Sequence, residues 1–334
     1  MQTIARLAFL LTLLACFCAR FATAADPPAV HDLRMNQVQV IGTHNSYHVR
    51  EEPLTSPRGR TLNYTHPPLD VQLDRGVRSF ELDLYVRKGN FEVFHIPIID
   101  EGTTFRQLTD GLATVRKWSE AHPDHVPISF LFELKRNGAQ LDSSLEDVNA
   151  AVLDKLDEVL RSSFAEGQIL TPDDVRGEAS TLRDAVTGRG WPTLDEARGK
   201  VFFILHDQGA QRAAYTKGHP SLEARVMFVR SDESRDDAAT LVMDGPNDPD
   251  IPRLAKAGYY IRTRADSSLE VESPRQPARR DAAFASGAHI ISTDFPTGEK
   301  DADTGYLVEF PGQAPARVNP VNGPEALRGQ TLQE

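Results

Sequence analysis

Short apolar runs recur along the 334 residues, and most are apolar on both faces rather than alternating. They are 37–42 (QVQVIG), 79–86 (SFELDLYV), 91–96 (FEVFHI), 127–135 (PISFLFELK), 200–207 (KVFFILHD), 225–230 (RVMFVR), 258–264 (GYYIRTR) and 288–295 (AHIISTDF). Strands buried on both faces belong to a parallel sheet, because a sheet with one wet face shows alternation. Helical periodicity marks 104–122, 143–164 and 278–287, the last ending at Gly287 as its C-cap glycine.

Eight such strands with intervening helices predict an α/β fold of the (β/α)8 TIM-barrel type. A doubly wound open sheet would carry a glycine fingerprint after its first strand, and none is present. Only RKGN (87–90) separates the second and third runs. A parallel crossover needs a dozen or more residues, so the barrel is expected to be irregular between strands 2 and 3. Residues 141–199 read as an enlarged helical insertion, and the Pro- and Gly-rich 305–334 as an irregular tail.

The first 25 residues change the picture of where the chain acts. Arg6, the apolar stretch 7–19 and the small-residue site Ala22-Thr23-Ala24 predict a signal peptide over 1–25. A single catalytic domain over 26–334 would then be secreted or periplasmic. LLAC (13–16) resembles a lipobox and makes anchoring through Cys16 the alternative. Cys16 and Cys18 are the chain's two cysteines, so the processed protein would have no thiol nucleophile and no cysteine metal ligand. Its charge would move from −11 to −13, since Arg6 and Arg20 leave and no acidic residue does. That excludes an electrostatic nucleic-acid surface. An anionic substrate must be met by a local positive site, such as a metal ion.

Polar residues gather at the carboxyl ends of the runs: His44 and Asn45, Glu81 and Asp83, His95, Glu133 and Lys135, Arg262 and Arg264, and Asp294. Residues two apart on a strand share a face, and the carboxyl-terminal rim of a barrel carries its chemistry. Charges in apolar strands are costly unless paired or metal-bound. A salt-bridged mouth without function is the bland reading. The oxygen donors Asn45, Glu81, Asp83 and Glu133 suit Ca²⁺ or Mg²⁺ rather than zinc. Two histidines left over suit acid/base work near neutral pH. His44 and His48 have the spacing of a helical zinc pair but follow a strand. HPDH (122–125) reads as a solvated turn on the opposite rim, and HDQ (206–208) stands between pocket lining and packing.

GTHNSYH (42–48), ELDLY (81–85), VFHIP (93–97), FELK (132–135), GYYIRTRAD (258–266) and AFASGAHIISTDFP (283–296) occur in one order from Gln37 to Pro296. Together they resemble the calcium-dependent phosphoinositide-specific phospholipase C family, particularly its secreted microbial-type members. The resemblance implies a barrel catalytic domain holding one Ca²⁺, with Mg²⁺ the second choice, on Asn45, Glu81, Asp83 and Glu133. It implies His44 and His95 as the catalytic pair, Glu133 or Glu81 taking the proton of the inositol 2-hydroxyl, and Lys135, Arg262 and Arg264 contacting phosphate. The expected substrate is a phosphatidylinositol-type phospholipid at a membrane surface, cleaved to diacylglycerol and a cyclic or hydrolysed inositol phosphate. No nucleic acid and no stable protein partner are implied. Related barrels acting on glycerophosphodiesters or sphingomyelin begin HRG where this chain has HNS. A non-catalytic calcium- or ligand-binding barrel is the other alternative.

Overall fold

Strands with two buried faces need helices on one side and packed side chains on the other, and this chain supplies both. The computed structural model describes residues 30–50, 62–136, 138–267 and 276–334. The expected signal peptide and Cys16 lie outside them. The strands are β1 (Val38–Thr43), β2 (Val77–Arg87), β3 (Asn90–Val93), β4 (Ile128–Leu134), β5 (Val201–Leu205), β6 (Met227–Val229), β7 (Thr240–Val242), β8 (Tyr260–Arg264), β9 (Ile290–Thr293), β10 (Ala316–Val318) and β11 (Thr331–Leu332). Eight of them run in the order β6-β5-β4-β2-β1-β9-β8-β7. The hydrogen-bonded neighbours in that order are parallel. The two ends of the order meet at a parallel bridge between Arg230 and Thr240, with Ser231 N–H donating to Thr240 O at 3.1 Å. The result is a nearly closed α/β barrel of the TIM type.

The membership of the barrel differs from the sequence expectation in one place. The run 91–96 is not a barrel strand: its β3 folds back antiparallel on β2, with Leu84 opposite Val93. Lys88 and Gly89 form the two-residue turn, both at positive φ (50° and 71°), as a tight hairpin requires. The eighth barrel strand is β7, only three residues long, which gives hydrophobic periodicity too little to read.

The three helical segments appear as Leu108–Ala121, Ala150–Ser163 and Gln276–Ala285. Residues 141–199 contain the second of these, capped by Asn149, whose side chain accepts from Val152 N–H. Leu153, Leu156 and Leu160 face the core from it. Shorter helices at Pro172–Arg176, Leu182–Thr187 and Leu194–Ala197 follow, each capped by a threonine. The tail is more ordered than its composition predicted. Strand β10 pairs antiparallel with β1, placing Val38 opposite Val318, and β11 extends it. Ala316 and Val318 are buried there, and burial of these apolar residues explains why a Pro- and Gly-rich segment is held in place.

Gly42 has a local reason that bears on the site. A Cβ there would lie 2.8 Å from Ser79 Cβ and 2.9 Å from Ile290 Cγ2, so only glycine fits where β1, β2 and β9 converge inside the barrel. The β1–β2 register shifts between Ile41 and Gly42. His44 then leaves the end of β1 toward the barrel mouth, its N–H held by Thr293 O at 3.0 Å.

Candidate active site

Each polar side chain of the mouth is carried by a strand end. Glu81 and Asp83 lie on β2, with Asp83 in register with Glu133 on β4, so neighbouring strands present their acids at similar heights. Lys135, just past β4, points between them, its Nζ 3.0 Å from Asp83 Oδ2 and 2.9 Å from Glu133 Oε1. Across the mouth, Arg262 of β8 is buried against Glu81 and Asp244 and donates to Ser292 Oγ at 3.1 Å. Arg264 donates to Asp266 Oδ1 at 3.0 Å and Asp294 Oδ2 at 3.1 Å. Both arginines are thus engaged by carboxylates rather than turned outward, and Lys135 is the most accessible of the three expected phosphate contacts.

The two histidines share one construction. His44 Nδ1 lies 2.8 Å from Asp294 Oδ1, and His95 Nδ1 lies 2.7 Å from Asp100 Oδ2. In each, a carboxylate fixes one ring nitrogen and leaves Nε2 for a reacting group. Asp294 is itself held: its N–H donates to Asp266 Oδ2 at 3.1 Å, and Asp266 accepts the Thr293 hydroxyl. Asp100 is shared with His48, whose Nε2 is 3.1 Å from it and whose Nδ1 faces Tyr64 O at 3.0 Å. Rings connect the pair: His44 to Tyr64 at 6.4 Å, Tyr64 to His48 at 4.4 Å, and His48 to His95 at 6.2 Å. Ser46 completes the frame, its Oγ accepting Glu81 N–H at 2.9 Å.

The acids fit a hard cation. Asp83 is wholly buried, with the Lys135 ammonium 3.0 Å from its Oδ2 and the buried Tyr47 hydroxyl beside it, and no backbone N–H reaches the carboxylate. Ligand atoms of Glu81, Glu133 and His206 lie within 4.8 Å of one another. Asn45 gives its amide Nδ2 to Tyr64 OH at 3.0 Å, which leaves its carbonyl oxygen as the donor toward a cation. A buried group of acids that outnumbers the cations paired with it is costly unless a metal completes it.

Environment splits the protonation of these groups. Burial pushes Asp83 up to about 7, with Lys135 opposing and Glu133 adding to the rise. Burial would raise Glu81 as well, but Arg262, His44 and His206 outweigh it and hold the group at about 2. His44 is pushed well below the usual histidine range by burial first and by the Arg264 guanidinium second. Burial would raise Asp100, but hydrogen bonds from His48 and His95 bring it to about 2.

Sequence reasoning missed Asp100, Asp266 and the use of His48, and gave Asp294 no role. Asp100 sits in a turn rather than on a strand, so no periodicity marks it; its spacing from His95 in HIPIID was the available signal. Of HDQ, His206 joins the mouth, whereas Asp207 packs behind it, accepting Leu134 N–H at 2.8 Å. HPDH is a turn with His122, Pro123 and Asp124 exposed, as expected, while His125 is fully buried, with Nε2 2.7 Å from Ser119 Oγ.

The profile of the family described as "Phosphoinositide phospholipase C, Ca2+-dependent" matches residues 33–89 and 85–320. Among solved structures, a calcium-dependent phosphoinositol-specific phospholipase C from a Gram-negative Pseudomonas sp. is 19% identical, covers 87% of this chain and 97% of its own, and superposes with a TM-score of 0.59. Another crystal of the Pseudomonas enzyme, described as a myoinositol complex, is 18% identical over 86% and 96%, with a TM-score of 0.58. A Ca²⁺-dependent phosphatidylinositol-specific phospholipase C from Streptomyces antibioticus is 17% identical over 78% and 95%, with a TM-score of 0.53. At these identities the superpositions speak for the fold. No curated protein sequence matches the chain.

Proposed function

Because the chain belongs to the Ca²⁺-dependent phosphoinositide phospholipase C family, and is therefore a phosphodiesterase of that type, we propose that it is an exported enzyme that works at a membrane surface. It would cleave phosphatidylinositol-type lipids to diacylglycerol and a cyclic inositol phosphate, which it can then hydrolyse. The observation that carries this reading is the pairing of two carboxylate-backed histidines, His44–Asp294 and His95–Asp100, around an oxygen-rich acidic mouth.

Asn45, Glu81, Asp83 and Glu133 would hold the cation, with His206 beside them. When bound it supplies neutralisation of the phosphate and a lowered pKa for the inositol hydroxyl. The residues of the chain divide the proton work. Glu81, held at about 2 beside Arg262, is too weak a base to take the 2-hydroxyl proton, and Glu133 is paired with Lys135. His44 suits that role better: its burial beside Arg264 keeps the ring neutral, and Asp294 fixes the proton on Nδ1 so that Nε2 accepts. The 2-oxygen then attacks phosphorus and the bond to the glycerol oxygen breaks. His95, oriented by Asp100, protonates that departing oxygen. In ring opening the roles reverse, with His95 accepting a proton from water and His44 returning its own. Lys135 stands where it can meet a phosphate oxygen.

Replacement of either histidine separates an enzyme from a binding barrel. His44→Ala and His95→Ala should each lower turnover of phosphatidylinositol by about 10²–10⁴-fold, with Ca²⁺ binding by calorimetry retained. Undiminished turnover in both variants would remove the catalytic roles.

A further inference from the structure

His48 stands beside the two carboxylate-backed histidines but is fully buried, so it cannot meet a substrate; the His44 and His95 side chains are 20% and 21% exposed. Both of its ring nitrogens are engaged. Nδ1 lies 3.0 Å from Tyr64 O, and Nε2 lies 3.1 Å from each oxygen of Asp100. These neighbours only accept, so the ring donates on both sides.

Asp100 thus receives two rings in different ways. His95 Nδ1 meets Oδ2 alone, at 2.7 Å, while His48 Nε2 straddles Oδ1 and Oδ2. The backbone of Asp100 is fixed separately, by the hydrogen bonds that Ile96 and Asp100 exchange, each at 2.9 Å. A carboxylate held by one donor can still turn about the bond to its Cβ. A second donor placed across both oxygens removes that freedom, and so fixes the ring that the carboxylate orients.

His48 is itself held by the loop after β1. Its N–H donates to Asn45 O at 2.8 Å, its O accepts His66 N–H at 2.9 Å, and its ring packs on Tyr64 at 4.4 Å. On either side, Thr104 N–H donates to Tyr47 O at 2.9 Å and Val49 N–H to Gly102 O at 3.1 Å. These backbone bonds join the two loops whatever side chain stands at position 48. A buried polar pair also adds little stability that a well-packed apolar pair would not. Folding alone therefore does not call for an imidazole here, and the use of the ring lies in what it does to Asp100.

We propose that His48 is a positioning residue for the leaving-group step: it locks the Asp100 carboxylate, which keeps a proton on His95 Nδ1 and aims Nε2 at the departing oxygen. The inference rests on the phospholipase reading and adds to it the residue that makes His95 a directed acid. Because His48 belongs to the loop that carries His44 and Asn45, it also keeps the proton donor after β3 in register with the β1 side of the mouth.

Two amides separate the two contacts of the ring. In His48→Asn the amide reaches the place of Nδ1, toward Tyr64 O, but not Asp100. In His48→Gln it reaches the place of Nε2, toward Asp100. Each variant is assayed on a short-chain phosphatidylinositol kept monomeric in water, and on the nitrophenyl ester of inositol phosphate, whose nitrophenolate leaves without a proton. His48→Asn should lose about 10–100-fold in kcat on the lipid and stay within about twofold of the parent on the nitrophenyl ester. His48→Gln should stay near the parent on both. Nitrogen NMR of the His95 ring in its neutral form should show the Nδ1–H tautomer in the parent and in His48→Gln, and a mixture of tautomers in His48→Asn. If His48→Asn does not fold, His48→Phe, which fills the space of the ring and donates to neither partner, is read in its place. Equal losses on the two substrates, parent-level lipid turnover in His48→Asn, or an equal loss in His48→Gln would each overturn the proposal. A parent that turns over neither substrate would strike the phospholipase reading instead, and the His95 tautomer would still decide whether His48 directs that ring.

Discussion

Asp83 is the residue on which burial and chemistry are most tightly joined. Its carboxylate is wholly buried and, despite the Lys135 ammonium beside it, pushed up to about 7, so below that pH it carries a proton that a cation must displace. Without a cation, the folded chain binds more protons at this site than the unfolded chain between about pH 4 and 7. Asp83 therefore favours folding least at the top of that window. Apparent Ca²⁺ affinity should fall as pH is lowered through 7, by up to about tenfold per unit. Calorimetric titration from pH 8 to pH 5 checks this, and an affinity constant over that range would remove Asp83 from the ligand set. The type and parity of this residue were legible in ELDLY, since Glu81 and Asp83 had to share a face. What surrounds them was not. The pairing of Arg262 with Glu81 joins positions 181 apart, and neither run carries a sign of the other.

At the scale of the element, β1 shows why a barrel strand carries a glycine two residues before the histidine at its rim. The Gly42 position is closed on two sides by Ser79 and Ile290. Gly42→Ala should destabilise the fold by about 1–3 kcal/mol, the usual cost of an overpacked interior. Urea unfolding midpoints measure it, and an unchanged midpoint would mean that β2 and β9 can move apart at that level. Elements with enough residues to show a period were readable: the helices Leu108–Ala121 and Ala150–Ser163 fall within the segments expected for them. Strands decided by partners were not. β3 has the apolar content of a barrel strand but is claimed by β2 through a two-residue turn, whereas β7 gains its place from Thr240, Leu241 and Val242 lying beside β8 and from Thr240 bridging Arg230. β10 likewise exists through its pairing with β1.

For the whole molecule, the barrel brings strand ends spread from His44 to Asp294 onto one rim. The parallel strands were enough to indicate this fold, and their carboxyl-terminal polar residues to indicate which side chains would share one rim. The supports of the site, Asp100 in a turn and Asp266 behind Asp294, depend on three-dimensional closure and were not visible in the strand pattern. Calcium-dependent cleavage of phosphatidylinositol is tested by inositol-phosphate release from that lipid with and without a calcium chelator. Inositol phosphate and diacylglycerol should form with calcium, both should be lost on chelation, and both should recover when calcium is returned. Release unaffected by chelation, or choline or glycerol freed from other phosphodiesters with no inositol phosphate from this one, would contradict it.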